Sequence, residues 1–347
     1  MSLRVVHAVE STKPEAGSFA ICLPGLQRAL HTLGVDVKTC QPDDLKHGDA
    51  KDEIGHADLV HLWGWGSKFA RDAAALSRKA GTPYVISPLG GMEHEINGRG
   101  GFGGRLRRNV IDNRLVRHAA GVTAMNDAEE HDLKQDAMNE RISMLPLGLD
   151  MTEYELGNAG APCSQRMILI LARVHPDEGY VPFLKAFSEL GEDATGWTVV
   201  IAGRPIEDWR QQLEAAVSRK GGADRIRFAE APDEAIQKQW LAKASILVAP
   251  NLHIRCGVSV MQAVAAGVPA MATHCVTPTT RDDVVRVCAP TRGDMKLALR
   301  ALIKLSDEQR IVLAERAREE ASKLFDWPVL AERYMSLYTN ATKRVAS

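Results

Sequence analysis

The sequence has few features of a secreted, membrane-spanning or nucleic-acid-binding protein. Its six cysteines are scattered over 347 residues without a Cys-x-x-Cys pair, so neither a disulfide framework nor a zinc site is predicted. No apolar run approaches the ~20 residues that a transmembrane helix needs, and Arg4 leads into a strand-like run instead of a signal peptide. The net charge is −1, whereas a nucleic-acid-binding protein is normally basic. These absences predict a cytoplasmic protein with no nucleic-acid partner and at most peripheral contact with a membrane.

Short apolar runs alternate with helical patterns in two successive series along the chain. The first series occupies residues 5–150, and the second starts at residue 167. Between them, residues 151–165 are small and polar, as is typical of a linker. Strands separated by helices of this length predict doubly wound parallel sheets. The predicted fold class is therefore α/β, with two Rossmann-like domains and a ligand at the strand ends, in the cleft between the domains.

Residues 249–273 have the pattern of an anion-binding corner. An apolar run ends at a Pro-Asn break, and a short polar loop leads to Gly257, which opens a helix of small residues. A strand, loop, glycine and helix N-terminus together present unpaired backbone N–H groups and a helix dipole to an anion. The N–H groups in question are those of Val258 and Ser259. The alternative is an ordinary βαβ turn that holds no ligand.

Three segments of the second series match segments that occur together in one enzyme family. Residues 170–179, Ile-Leu-Ala-Arg-Val-His-Pro-Asp-Glu-Gly, are similar to a strand followed by Gly-Arg-Leu-x-x-x-Lys-Gly. Residues 199–203, Val-Val-Ile-Ala-Gly, are similar to a second strand and glycine. Residues 256–269 are similar to a phosphate-binding helix with a Gly-x-Pro exit. Together they resemble the donor half of the GT-B glycosyltransferases, specifically the large retaining family four that uses nucleotide-sugar donors.

Segments of the first series and the chain end extend this resemblance. Residues 83–92 contain Pro-Leu-Gly-Gly-Met, which is similar to the acceptor-side Pro-x-Gly-Met loop of the family. Residues 145–150 are similar to its hinge, and residues 325–338 to its closing Trp segment and the helix that returns to the first domain. The resemblance implies a GT-B fold with an acceptor domain at 1–160 plus 328–347 and a donor domain at 161–327.

The resemblance also implies an activity and a set of residues. The enzyme would move a hexose from a nucleotide diphosphate sugar to a glycan or lipid-linked acceptor, as in polysaccharide biosynthesis, with retention of configuration. Negative charge grows on the departing phosphates, and the family opposes it with a helix N-terminus and an Arg/Lys pair, without a metal ion or any cofactor besides the donor as co-substrate. The implied residues are Arg173 for catalysis, Gly17, Gly203, Gly257, Val258 and Ser259 for the donor, and Leu89, Gly90 and Gly91 for the acceptor.

Four polar positions of the family differ in this chain. Glu178 stands in the place of the phosphate-binding lysine, and we expect its carboxylate to repel a diphosphate. Ile254 and Gln262 replace a Glu-x7-Glu pair that contacts the sugar and the ribose, although the amide oxygen of Gln262 is able to accept a hydrogen bond from a ribose hydroxyl. Leu89 lies near the place of an acceptor-side histidine. These differences count against ordinary catalysis.

Nearby side chains offer replacements for the missing groups. Arg204 and Arg255 flank the predicted donor site, and a guanidinium group contacts phosphate through two N–H groups. His253 and His94 are candidates for a sugar contact or a proton relay. We assign Arg255 and His94 to catalysis and Arg204, His253 and Gln262 to donor binding. The alternative is that these are solvated arginines and ordinary loop histidines.

The segment from residue 98 to 117 is rich in glycine and arginine. Gly98–Gly103 fits Gly-x-Gly-x-x-Gly, but no strand leads into it, so we interpret it as a flexible acceptor loop and not as a dinucleotide fingerprint. Five arginines between Arg105 and Arg117 share a helical pattern with apolar residues. This is typical of an amphipathic surface helix. The alternative is a face for an anionic, lipid-linked acceptor at a membrane surface.

Two other functions are compatible with the same residues. One is a non-catalytic GT-B protein that binds a nucleotide, a glycan or a partner enzyme, and a weaker one is sugar-nucleotide epimerisation. The sequence leaves the nucleotide base, the sugar, the acceptor and the oligomeric state open. A position of Arg204 or Arg255 at the diphosphate pocket would favour transfer.

Overall fold

The computed structural model describes residues 2–13, 18–47, 49–91, 113–136, 139–154, 156, 166–171, 178–203, 211, 213, 223–231 and 233–343. The chain forms two compact units. One comprises Met1–Leu149 and Trp327–Ser347, and the other comprises Asp150–Asp326. No helix within the described ranges has both the length and the apolar content to cross a membrane.

The first unit contains a six-stranded sheet in the order β2-β1-β3-β4-β5-β6, and every pair in it is parallel. The central strands β3, β4 and β5 are buried along their whole length, which explains why their sequences read as continuous apolar runs. The strands are β1 Arg4–Val9, β2 Asp36–Cys40, β3 Leu59–Trp63, β4 Tyr84–Ser87, β5 Gly121–Ala124 and β6 Ile142–Met144.

Helices connect these strands. Helix Lys68–Ala80 has a capping residue at each end. Ser67 caps its N-terminus by accepting a hydrogen bond from the N–H of Ala70, and Gly81 ends it in the left-handed conformation. The helices are α1 Ser18–Thr32, α2 Pro42–His47, α3 Asp49–His56, α4 Lys68–Ala80, α5 Asn113–His118 and α6 Asp127–Asp136.

The second unit contains another parallel six-stranded sheet, in the order β12-β11-β10-β7-β8-β9. The chain builds outward from β7 in one direction and then returns to place β10 on its other side. The carboxyl ends of β7 and β10 are therefore the topological switch point, where ligands bind in open α/β sheets. The strands are β7 Arg166–Leu171, β8 Trp197–Ala202, β9 Ile226–Ala229, β10 Ile246–Ala249, β11 Ala270–Thr273 and β12 Arg286–Cys288.

The remaining helices complete both units. In the second unit these are α7 Tyr180–Ser188, α8 Glu234–Leu241, α9 Val258–Ala265, α10 Arg292–Ile303 and α11 Asp307–Phe325. The last helix, α12 Trp327–Lys343, belongs to the first unit and packs on α1. Gly25 of α1 allows this, since a Cβ atom there would overlap the indole of Trp327.

A buried polar network ties α12 to the first sheet. The hydroxyl of Tyr338 lies 3.2 Å from Nε2 of His7 on β1 and 2.7 Å from Nδ1 of His61 on β3. Nε2 of His61 in turn lies 2.8 Å from the hydroxyl of Ser87 on β4. Burial lowers the pKa of His7 to about 3 and that of His61 well below its usual value, so both imidazoles are neutral and serve the network as hydrogen-bonding groups.

Candidate active site

The loop after β10 is fixed at the switch point of the second sheet. The hydroxyl of Thr273 donates to the carbonyl oxygen of Asn251 at 2.6 Å, and the backbone N–H of Arg255 donates to the carbonyl oxygen of Cys275 at 3.0 Å. These bonds join the loop to the end of β11 and the residues that follow it. The polypeptide that leads into α9 therefore has a defined path.

Gly257 makes the turn into α9. Its φ is +64°, a region that only glycine adopts without strain, and a Cβ atom would overlap the carbonyl oxygen of Val276. The first intrahelical bond is donated by Val260 to the oxygen of Gly257 at 3.0 Å. The N–H groups of Val258 and Ser259 precede it and have no acceptor within the helix. This is the geometry in which a helix N-terminus binds an anion.

Gln262 lies on the second turn of the same helix and is only 2% exposed. Among the described residues, its Nε2 has no hydrogen-bond partner. Buried amide groups normally have one, because burial without a partner costs free energy. A polar ligand that reaches this side chain would supply the missing acceptor.

Glu178 lies on the other side of the switch point, directly after the undescribed segment that follows β7, and is 4% exposed. Gly179, with φ +74°, brings this segment so close to the end of β10 that a Cβ atom would overlap the carbonyl oxygen of Pro250. The amide of Asn251 donates to Oε2 of Glu178. Nε of Arg255 lies 3.9 Å from Oε1 of Glu178. The carboxylate that we expected to repel a diphosphate is thus paired with a cation of the same site.

The structure brings most of the predicted donor residues to this corner and leaves others undescribed. His253 and Ile254 are buried in the loop, and Nη1 of Arg255 donates to the carbonyl oxygen of Ile254 at 2.9 Å. Gly203 follows β8 and donates its N–H to the carbonyl oxygen of Ala229 at 3.1 Å. Four predicted site residues lie outside the described residues, namely Gly17, His94, Arg173 and Arg204. The loop Gly98–Gly103 and the arginines from Arg105 to Arg108 lie outside them as well.

The predicted acceptor residues form a tight turn after β4 in the first unit. Gly91 donates its N–H to the carbonyl oxygen of Pro88 at 3.1 Å. Gly90 has φ +78°, and Leu89 has φ +57°. Leu89 is the one residue other than glycine with a positive φ among those described. A side chain in this conformation is unfavourable, because Cβ approaches the following carbonyl oxygen.

A residue that the sequence reasoning missed holds this turn. Glu129, on α6, is 1% exposed. Its Oε1 accepts the N–H of Gly90 at 2.6 Å, and its Oε2 accepts the N–H of Met125 at 2.8 Å. Burial raises the pKa of Glu129 to about 7, although both N–H bonds act to lower it. The local signal was Asn126-x-x-Glu129, a helix-start pattern, and Asn126 does accept the N–H of Glu129 at 2.9 Å.

The chain resembles known glycosyltransferases in sequence. The family model described as glycosyl transferases group 1 matches residues 165–307. The GDP-mannose:cellobiosyl-diphosphopolyprenol alpha-mannosyltransferase of Xanthomonas campestris is 23% identical over 82% of this chain and 74% of its own length. The D-inositol 3-phosphate glycosyltransferase of a Nocardioides species is 24% identical over 87% of this chain and 71% of its own length. This agrees with the family that the sequence motifs resemble.

Solved structures share the fold. Anabaena HepE in complex with UDP and glucose has a TM-score of 0.74 at 14% identity, covering 97% of this chain and 99% of that one. Sucrose-phosphate synthase from Thermosynechococcus elongatus has a TM-score of 0.76 at 16% identity, covering 99% of this chain and all of that one. The predicted pair of Rossmann-like sheets is confirmed.

Proposed function

We propose that the chain, whose residues 165–307 match the group 1 glycosyltransferase family model, is a glycosyltransferase that moves a hexose from a nucleotide diphosphate sugar to a glycan or lipid-linked acceptor. In this proposal the configuration at the anomeric carbon is retained, and no metal ion takes part. The observation that carries it is the corner at Gly257, where a glycine-only turn opens α9 with two N–H groups that have no intrahelical acceptor. The buried amide of Gln262 follows on the next turn of the same helix.

The diphosphate of the donor would lie at the start of α9. Negative charge develops on the leaving phosphate as the glycosidic bond lengthens, and fixed donors aimed at that charge lower the barrier. The N–H groups of Val258 and Ser259 are such donors. Arg255, held next to this corner by Glu178, adds a positive charge. In the proposal Gln262 hydrogen-bonds the ribose, and Arg173, Arg204, Gly17 and His94 keep the roles that the resemblance implies.

The relatives guide the choice of donor and acceptor probes. The Xanthomonas enzyme is named for GDP-mannose and cellobiosyl-diphosphopolyprenol, and the Nocardioides enzyme for D-inositol 3-phosphate. Structures of Anabaena HepE contain UDP or UDP-glucose. We propose that the donor of this chain is likewise a nucleoside diphosphate hexose and that its acceptor carries a phosphate or diphosphate group.

A thermal-shift and transfer experiment tests the function. The full chain is screened with UDP, GDP, ADP and their hexose derivatives, and a nucleotide at ~100 times its Kd is expected to add ~2.7 kcal/mol of stability. Labelled hexose from the best donor is then offered to cellobiosyl-diphosphopolyprenol and to D-inositol 3-phosphate. Stabilisation without transfer to either would favour a binding protein, and no stabilisation by any nucleotide at millimolar concentration would contradict the donor site.

A matched pair of arginine variants localises the binding. Arg255→Ala is expected to weaken nucleotide binding about tenfold or more, because a charged hydrogen-bond donor to phosphate is lost. Arg292→Ala is the control, since Arg292 pairs with Glu189 at 3.0 Å on the exposed surface of the same unit. Equal affinities in the two variants would remove Arg255 from the donor site.

A lipid-linked acceptor would bring the chain to a membrane surface. Arg114 and Arg117 are exposed on α5, and we propose that they contribute to peripheral contact through the Arg105–Arg117 segment. Positive side chains near an anionic surface each contribute about 1 kcal/mol. The chain should therefore sediment with phosphatidylglycerol vesicles and not with phosphatidylcholine vesicles. Equal sedimentation with both would contradict this contact.

A further inference from the structure

Glu129 joins two segments that are far apart in the sequence. It lies in the first turn of α6, directly after β5, and its carboxylate accepts one N–H from the turn after β4 and one from the end of β5. Because β4 and β5 are neighbours in the sheet, this single side chain bridges the carboxyl ends of both strands. It is buried, and the donors just described are backbone groups, so its effect is on the path of the polypeptide.

The turn that it contacts needs such support. Leu89 is in the left-handed conformation, which is unfavourable for a residue with a Cβ atom. The hydrogen bond from Gly90 to Glu129 holds the peptide that follows Leu89. A Cβ atom at Gly91 would lie 3.0 Å from the carbonyl oxygen of Pro88 and 3.4 Å from Cβ of Trp65, so the turn is also packed closely on its other side.

We propose that Glu129 is a positioning residue for the acceptor: it holds residues 88–91 in the left-handed turn from which the predicted acceptor loop starts. This inference rests on the proposed function and on the acceptor role that the family resemblance implies for Leu89, Gly90 and Gly91. It assigns Glu129 no contact with substrate. Its role is to fix the backbone that has that contact.

We call the two hydrogen bonds that Glu129 accepts from Gly90 and Met125 the clamp. The clamp responds to the charge of Glu129. As a carboxylate it accepts both N–H groups, whereas as a neutral acid it turns a hydroxyl group toward one of them. Burial raises the pKa of Glu129 to about 7, and Asp132 on the same helix acts in the same direction. Asp132 is the charged group that acts on Glu129 within the described part of the chain. Opening of the turn lets Glu129 ionise in water, so the turn opens more readily as the pH rises towards 7, although the ionised group accepts both N–H bonds while the turn is closed.

Hydrogen exchange of the free protein tests the clamp without any substrate. Glu129→Gln keeps one acceptor and places an NH2 group against the other N–H. The amides of Gly90 and Met125 should therefore exchange about tenfold faster, as expected for loss of a charge-assisted bond. In the wild type, their protection factors should fall about tenfold between pH 6 and pH 8, because opening of the turn lets Glu129 ionise in water near its usual pKa. This fall should be absent in Glu129→Gln.

Two further variants separate the clamp from general stability. Glu130→Gln is the control, because Glu130 lies next to Glu129 on the same helix and pairs with Lys134 at 3.0 Å on the surface. Leu89→Gly removes the unfavourable side chain from the left-handed position. It should restore part of the protection lost by Glu129→Gln in the double variant.

Transfer kinetics test the link to the acceptor. With cellobiosyl-diphosphopolyprenol or D-inositol 3-phosphate, whichever is used by the wild type, Glu129→Gln should raise the acceptor KM about tenfold and leave the donor KM unchanged. Faster exchange with an unchanged acceptor KM would overturn the acceptor role. Exchange and KM equal to those of Glu130→Gln would overturn the whole inference. If the wild type uses neither acceptor, the proposed function fails, and exchange alone decides whether the clamp exists.

Discussion

Each of the two sheets carries a buried glutamate at the carboxyl ends of its strands, and the two are held in opposite ways. Backbone N–H groups of Gly90 and Met125 donate to Glu129. The side chain of Asn251 donates to Glu178, and the guanidinium of Arg255 lies beside it. A carboxylate bonded to backbone groups fixes chain geometry. A carboxylate paired with a side-chain cation sets the local charge, and in the proposed donor site the same cation would pair with a phosphate when a nucleotide binds.

The largest expected effect concerns backbone geometry on the donor side. Gly257→Ala places a Cβ atom against the carbonyl oxygen of Val276, so the start of α9 has to move and nucleotide binding at millimolar concentration should be lost. Gly196→Ala is the control, because Gly196 has φ +79° and open space around the new Cβ atom. It should cost only ~1 kcal/mol of stability. Calorimetric titration with nucleotide compares the two, and equal binding would contradict the geometric role of Gly257.

The next largest expected effect is the pH dependence of the free energy of unfolding that Glu129 causes. Its folded pKa of about 7 lies above its usual value of 4.5, so the folded state keeps a proton that the unfolded state loses. Stability from this group is present below pH 4.5 and is lost as the pH rises to 7, by up to ~3 kcal/mol. Urea unfolding of the wild type and Glu129→Gln should reveal this slope in the wild type alone. If the free energy of unfolding changed with pH in the same way in both proteins, the raised pKa of Glu129 would be contradicted.

The polar network of the first unit provides a comparison with a purely structural role. Tyr338→Phe removes the hydroxyl that His7 and His61 share, and two buried imidazole nitrogens lose their partner. We expect a loss of ~2 kcal/mol in the free energy of unfolding and unchanged nucleotide affinity. Ser336→Ala, on the exposed side of the same helix, should change stability by less than ~0.5 kcal/mol. An altered nucleotide affinity in Tyr338→Phe would contradict a purely structural role for this network.

The smallest expected effect is electrostatic. Glu178→Gln keeps an acceptor for Asn251 and removes the negative charge beside Arg255. Nucleoside diphosphate should therefore bind about two- to fivefold more tightly at low salt, and the gain should shrink as salt screens the site. Glu189→Gln, on the exposed surface of the same unit, is the control. Weaker binding by Glu178→Gln would mean that Glu178 contributes to the donor site through geometry, as Glu129 does to its turn.

The sequence could predict the features that depend on neighbouring residues. Apolar runs separated by helical patterns predicted both sheets, since a parallel strand buried on two faces needs apolar residues throughout. The corner at Gly257 was predicted because strand, glycine and helix follow one another directly. The clamp at Glu129 was not, because Gly90 and Glu129 meet only through the pairing of β4 with β5. The pairing of Glu178 with Arg255 was missed for the same reason: it depends on β7 and β10 being neighbours.

Hydrogen exchange with and without nucleotide tests the central claim most directly, because it shows where on the chain the donor binds. With saturating UDP or GDP, whichever stabilises the protein, amide exchange should slow at residues 257–262 and in the loop from Asn251 to Arg255. Slower exchange there, lost in Gly257→Ala and retained in Gly196→Ala, is the predicted result. Nucleotide binding that leaves these residues unchanged and protects another segment would contradict the assignment of the donor site.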